Sequence, residues 1–219
     1  MHFADLRHVL AIAIIPAVIL FGAAGRVDLP RFWAWLAVPV AAVTIMFFII
    51  DRGLLEERLR PRPGGVDRGF RYLNLAAGLT HMVIAGLDVG RWHFSDTIPQ
   101  WLGWIGFALL LLMMIPSLSA VRVNHFFSPV VRVQDERGHQ VVTRGPYAFV
   151  RHPAYASWLI GMPGGGLLLG SWLALAVLLV PVVFTLRRTA IEDAYLQQNL
   201  PGYRDYAATV RYRLLPGVW

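Results

Sequence analysis

Apolar and polar positions along this chain fall into long blocks rather than the short alternations of a soluble fold. Four apolar blocks, His8–Gly25, Phe32–Ile50, Tyr72–Val89 and Trp101–Val121, approach the ~20 residues a helix needs to cross the hydrocarbon layer with its backbone bonded internally. The first is too long for the apolar core of a secretory signal and no small-residue cleavage site follows it, so it reads as a retained helix. The third carries His81 and Asp88 within its apolar sequence. A fifth block, Ala154–Leu186, is interrupted by GMPGGGLLLGSW, where glycines and Pro163 break helical regularity. It is too long for one straight span. A helical hairpin that turns near Gly170 and Ser171 and returns to its own side is expected.

Outside these blocks the pattern changes. PVVRVQDERGHQVVT alternates β-branched residues around the turn-forming DERG, which predicts a small β-hairpin pairing Val130–Gln134 with Gln140–Thr143. RRTAIEDAYLQQNLPGY has helical periodicity and stops at the Pro and Gly of 199–202. The expected fold is an all-α integral membrane bundle of four spans plus a C-terminal helical hairpin, with that cytosolic β-hairpin and C-terminal amphipathic helices. Residues 1–121 form a membrane-embedded part, and 122–219 hold nearly all the site-like polar chemistry.

Composition agrees with the pattern, since 57% of the 219 residues are hydrophobic and only 15% charged, too apolar for an ordinary soluble domain. All twenty basic residues are arginine. They flank the apolar blocks instead of forming one patch interleaved with aromatics, which argues against nucleic acid and for lipid headgroups as partners. With the N-terminus in the cytoplasm, Arg7, six arginines in 52–71, five in 122–151 and five in 187–213 lie inside, and only Arg26, Arg31 and Arg91 outside. That bias places both termini and the polar C-terminal segments on the cytosolic face, and the compact all-arginine chain suggests a bacterial plasma membrane. The absence of cysteine excludes disulfides and thiol chemistry, and no HExxH or similar spacing occurs, so no metal is expected.

The candidate chemistry is concentrated at one face. RGPYAFVRHPAY, Arg144–Tyr155, stands at the entrance to the hairpin, and Arg188, Glu192 and Asp193 lie just beyond its exit, with Arg188 and Glu192 four apart on one helical face. Residue by residue these have bland readings: headgroup anchors for Arg144 and Arg151, interfacial aromatics for Tyr147 and Tyr155, a helix cap for His152, a surface ion pair for Arg188 and Glu192. Tyr203, Tyr206, Arg211 and Arg213 of the tail join the same face. A dense polar group beside apolar walls suggests a ligand carrying both charges. His81 is expected to bond a neighbouring helix, and Gly164–Gly166, with no βαβ unit around them, to serve close helix packing rather than a dinucleotide.

GPYAFVRHPAY, the apolar hairpin, RTAIEDAYL and PGYRDYAATVRYRLLPGVW together resemble the isoprenylcysteine carboxyl methyltransferase family of integral membrane enzymes that use S-adenosylmethionine. The resemblance covers roughly Asn124–Trp219. It implies that His152, Tyr155, Arg188, Glu192 and Asp193 hold the cofactor, although family members often carry two glutamates where this chain has Glu192 and Asp193. The tail pattern GYxxYxxxVxxRxxP matches Gly202, Tyr203, Tyr206, Val210, Arg213 and Pro216.

A zwitterionic sulfonium nucleoside needs an acid, a cation and aromatic or apolar walls. Glu192 is the candidate for its ammonium or ribose, Arg151 or Arg188 for its carboxylate, and His152 with Tyr147 or Tyr155 for its adenosine. Methyl transfer is an in-line displacement that depends on positioning and water exclusion. A carboxylate acceptor would need no base, and Arg211 or Arg213, with Arg151, would orient it. An amine or phenol would need His125, His152 or Glu192 as proton acceptor. Asn124, His125, Tyr203 and Tyr206 are candidate substrate contacts. The expected function is methyl transfer to a lipid-like or lipid-anchored acceptor entering sideways from the bilayer. The alternatives are an NAD(P)H-dependent membrane reductase of the sterol reductase type and a non-catalytic transport or assembly protein.

Overall fold

The apolar blocks fold into helices whose ends fall at local breaks in the sequence. A computed structural model describes residues 3–59, 61–62, 66–67 and 69–219, with side chains from residue 10 onward. Arg60 and Arg68, and the side chain of Arg7, which enter the sequence-based orientation, lie outside the described residues.

Helix α1 runs Phe3–Ala24 and α2 runs Pro30–Ile49, with proline at the first helical position of α2, where a missing N–H costs nothing. The short α3, Arg52–Leu59, is capped by Asp51, whose carboxylate accepts from Leu54 N–H at 2.8 Å. Helix α4, Gly69–Leu87, continues as a π-helical turn through Asp88–Trp92, and α5 spans Gln100–Val123. The hairpin is present as expected. Its outgoing arm is α6, Pro153–Leu169, and Gly170 takes a left-handed conformation (φ 79°) that ends it. Ser171 then caps the returning α7, Trp172–Val177, by accepting from Ala174 N–H. Helix α8, Leu179–Asn199, follows at once. By length and composition, Pro30–Ile49, Gly69–Trp92, Gln100–Val123 and Trp172–Asn199 are each able to cross a membrane, and the chain is an integral membrane protein.

Two expectations change. The later part of the return arm and the predicted RRTAIEDAYLQQN helix are one helix, so α8 carries Glu192 and Asp193 directly out of the apolar region. The β-hairpin does not form. Val131 instead makes an isolated antiparallel bridge with Val66, and Asp135–Arg137 is a 3₁₀ turn. The buried Gln134 explains the difference: its side chain donates to Phe126 O at 2.7 Å and accepts from Arg137, while its own N–H meets His139 Nδ1 at 3.2 Å. Side chains thus take the bonds a strand ladder would have used.

Packing around the hairpin is close because glycines permit it. A Cβ on Gly164 would lie 2.5 Å from Gly106 O of α5, and one on Gly166 would lie 2.7 Å from Leu175 Cα of α7. The main core joins α1, α2, α4, α6 and α7 through Leu20, Phe32, Leu36, Ala85, Leu169 and Ala174. Outward-facing Phe48, Trp104, Leu112 and Ile115 are exposed, as lipid-facing side chains are. Two polar groups inside the bundle find partners: His81 Nδ1 lies 3.0 Å from Ala174 O of a neighbouring helix, as expected, and the fully buried Asp88 accepts from the hydroxyls of Ser95 and Ser171. Asp88 thereby ties the hairpin turn to the end of α4.

Candidate active site

Three segments converge where α6 begins, and the backbone sets their arrangement. Pro146 opens the short helix Gly145–Ala148 and Pro153 opens α6, so the loop between them enters the bundle with few unpaired amides. Its free N–H groups meet the tail: Arg151 N donates to Tyr212 O at 3.0 Å and His152 N to Arg213 O at 2.9 Å. Leu200, Tyr203 and Tyr206, from the end of α8 and from α9 (Tyr203–Thr209), pack with Val133, Val141 and Leu196 beneath them.

Asp193 is the centre of this junction and is completely buried. It receives both faces of the Arg151 fork, Nε at 2.7 Å and Nη2 at 3.0 Å, together with Arg213 Nε at 2.9 Å, Gln197 Nε2 at 2.9 Å and Tyr203 OH at 3.2 Å. Such a carboxylate is satisfied by its own protein. The Arg151 guanidinium is almost fully engaged too, because Nη1 also donates to Val210 O and Arg211 O, each at 2.8 Å. Of its five N–H groups, one on Nη2 remains.

Glu192, the preceding residue, behaves differently. Oε2 accepts from Tyr155 OH at 2.7 Å, and Tyr155 OH in turn accepts from Arg188 Nε at 2.7 Å. Among the described residues, Oε1 meets only the His152 ring, at 4.0 Å from Nδ1. His152 itself is buried and stacks on Tyr155 at 5.8 Å between ring centroids. Although His152 holds the N-cap position of α6, its side chain does not cap; it points to the acids of α8.

These residues line one cleft. Asn124, Tyr147, Arg151, His152, Tyr155, Glu192, Tyr203 and Tyr206 border it, with Val141, Leu196 and Leu200 as its apolar side. Its cavity volume is about 80 Å³, and the whole empty space, open mouth included, is about 630 Å³. A nucleoside-sized ligand therefore occupies the mouth as well. Tyr147 is held by Asn124 Nδ2 at 2.9 Å, and burial pushes the phenols of Tyr147, Tyr203 and Tyr206 well above their ordinary range, so they are neutral donors.

Other sequence candidates fall outside the cleft. Arg188 lies behind Tyr155, donating to Pro129 O at 2.8 Å and stacked 4.3 Å above the Phe70 ring. Arg213 is taken up by Asp193 and by the Trp219 ring, 4.9 Å away. The Arg211 side chain is exposed and does not border the cleft; its carbonyl is what the junction uses. His125 pairs with Asp51 at 2.7 Å, on the far side of Asn124. Against the raising effect of its partial burial, that bond and the Leu54 N–H hold Asp51 below its usual carboxyl range.

Polar lining residues that escape a reading of the sequence include Ser128, His139 and Gln140. His139 and Gln140 border the mouth, because the 3₁₀ turn folds them back over it. His139 stacks on Phe126 at 4.4 Å, and burial lowers its pKa to about 4. Only the RGH spacing after DE hints at this turn, and by itself it supports an ordinary β-turn.

Fold and site define a class: a helical integral membrane protein whose polar cleft opens where a membrane hairpin meets the C-terminal tail. Residues 99–198 match the isoprenylcysteine carboxyl methyltransferase (ICMT) family. It is 30% identical over 129 residues to the nickel-cobalt-cadmium resistance protein NccN of Alcaligenes xylosoxydans xylosoxydans, covering 58% of this chain and 56% of that one. It is 37% identical over 93 residues to the protein-S-isoprenylcysteine O-methyltransferase of Schizosaccharomyces pombe, covering 42% and 39%. The solved structure of the eukaryotic intramembrane Ras methyltransferase ICMT shares the fold, with a TM-score of 0.65 at 20% identity over 98% of this chain and 75% of that one. The chain spans about half the length of the curated relatives it matches.

Proposed function

We propose that the protein is a membrane methyltransferase that takes its methyl group from S-adenosylmethionine and passes it to a lipid-like or lipid-anchored acceptor, with the cleft and both termini cytosolic. The observation that carries this reading is the unequal use of the paired acids. Asp193 is consumed by the fold, while Glu192 keeps one carboxylate oxygen facing a cleft walled by aromatic rings.

The residues fit such a ligand. Glu192 suits an ammonium or a ribose hydroxyl, the stacked His152 and Tyr155 with Tyr147 suit an adenine, and Val141, Leu196 and Leu200 suit an apolar wall. For the carboxylate the donors are fewer than the sequence suggested: the one remaining Arg151 N–H, with Gln140. When bound, S-adenosylmethionine would supply an electrophilic methyl group on sulfur. The chain's own part is positioning and exclusion of water, through side chains whose rotamers are locked by the Asp193 junction. A carboxylate acceptor arrives ionised and needs no base. For an acceptor that must lose a proton, His152 and Glu192 border the cleft, whereas His125 does not. The bacterial plasma membrane is the location that the arginine distribution supports.

The test is calorimetric titration of the detergent-purified protein with S-adenosylmethionine and with its demethylated product, and competition by NADPH. Saturable binding of both sulfur ligands, unaffected by NADPH, is expected. Binding of NADPH alone would establish the reductase reading, and a folded protein that binds none of the three would be non-catalytic.

A further inference from the structure

Apart from the cleft, α2, α4, α5, α6 and α8 line a second, partly open pocket of about 350 Å³. Its walls are mostly apolar, among them Val38, Ala42, Leu110, Met113 and Met162, and its polar atoms are few. His81 borders it and is 4% exposed. Its Nδ1 faces Ala174 O at 3.0 Å, and a carbonyl only accepts, so Nδ1 carries the proton and Nε2 of the neutral ring keeps a lone pair. Neither this nitrogen nor the indole N–H of Trp35, which also borders the cavity, has a hydrogen-bond partner among the described residues. The two converge on one place. A Cβ on Gly165 would lie 3.5 Å from His81 Nε2 and 3.4 Å from Trp35 Nε1. Gly164 and Gly166 are required for helix contact, but Gly165 meets no backbone there; what its missing side chain does is leave space between a donor and an acceptor. Asn74 Oδ1, about 10 Å along α4 from His81, is a further buried acceptor with no partner.

We propose that this cavity binds a lipid chain bearing a hydroxyl group, seated over Gly165, where the hydroxyl accepts from Trp35 Nε1–H and donates to His81 Nε2. A plain hydrocarbon chain would leave both nitrogens unpaired in apolar surroundings, whereas a hydroxyl satisfies both at once. Ten residues of α6 separate Tyr155 at the cleft from Gly165, about 15 Å of rise, the reach of an extended chain of about twelve carbons. A chain with its polar end at the cleft would therefore carry the hydroxyl about twelve carbons along its length. That the same molecule is the methyl acceptor rests on the function proposed above; the hydroxyl site does not.

The experiment offers full-length, detergent-purified protein an equimolar mixture of 12-hydroxyoctadecanoate and octadecanoate and counts what is retained by native mass spectrometry. The wild type is expected to retain the hydroxylated acid about fivefold or more over the plain one. Gly165→Ala fills the space at ordinary contact distance and Trp35→Phe removes the N–H. Each should bring the ratio close to one, Gly165→Ala while keeping the wild-type thermal midpoint. Equal retention by the wild type, as when only water fills the space, overturns the proposal, and so does an undiminished ratio in both variants. A preference without methyl ester formation on addition of S-adenosylmethionine upholds the hydroxyl site and removes only its identification with the methyl acceptor.

Discussion

Adjacent acids on α8 have opposite duties, and each duty makes its own prediction. Glu192→Gln keeps the shape of the cleft and the Tyr155 contact but removes the charge, so affinity for S-adenosylmethionine should fall about tenfold or more in calorimetry, with the thermal midpoint little changed. Asp193→Asn should do the reverse first. Arg151 would remain buried without its counterion, at a cost of about 3–5 kcal/mol, seen as a lowered midpoint in thermal unfolding before any ligand is added. If both variants lost affinity equally and neither lost stability, the division of labour would be wrong. Sequence could place the two acids beside each other but not sort them. Neighbours on a helix point about 100° apart, and which direction faces the cleft is decided by where Arg151 and Tyr203 arrive from elsewhere in the chain. For the same reason Arg211 and Arg213 looked free: what consumes Arg213, Asp193 and Trp219, is brought to it by the fold.

Elements were legible where the signal is local. Gly170 and Ser171 announced the hairpin turn because a left-handed residue followed by a side-chain cap is a property of the dipeptide itself. The β-hairpin failed because alternation in PVVRVQ competes with a glutamine whose side chain bonds the backbone at Phe126, a contact across the loop that no period reveals. The glycine triplet tests packing at this scale. Gly164→Ala would drive Cβ against Gly106 O, parting α5 from α6 at about 1–3 kcal/mol, while Gly165→Ala should be tolerated in thermal unfolding. The turn at His139 tests titration. Its neutral ring accepts from Gln134 N–H and has a pKa lowered to about 4, so below pH 6.5 the unfolded chain takes up a proton that the folded turn refuses. Stability is thus full above pH 6.5 and is lost as pH falls toward 4. Thermal midpoints measured from pH 8 to 4 should show this slope, and it should flatten in His139→Gln.

At the scale of the whole molecule, the bilayer decides what the sequence can say. Because every spanning backbone group must be paired within its own helix, apolar length alone located α2, α4 and α5, and only polar loops left room for error. Which side those loops face is a proposal from charge: seventeen arginines belong to segments placed on one side, three to the other. The structure agrees with the connectivity this requires, since the hairpin returns the chain so that Arg151 and Asp193 meet, which they could not do from opposite surfaces of a layer about 30 Å thick. Two exposed positions separate the sides. Arg211 belongs with the cleft, and Asp96, between α4 and α5, lies at the other end of the bundle beside the hairpin turn, where Ser95 meets Asp88. The chain has no cysteine, so Arg211→Cys and Asp96→Cys each introduce a single thiol. In intact bacterial cells a membrane-impermeant maleimide should label the protein through Asp96→Cys only, and in inverted vesicles through Arg211→Cys only. Labelling of both thiols from one side would mean that the hairpin crosses to the opposite surface. The cleft would then lose the shared face on which every residue of the proposed cofactor site depends.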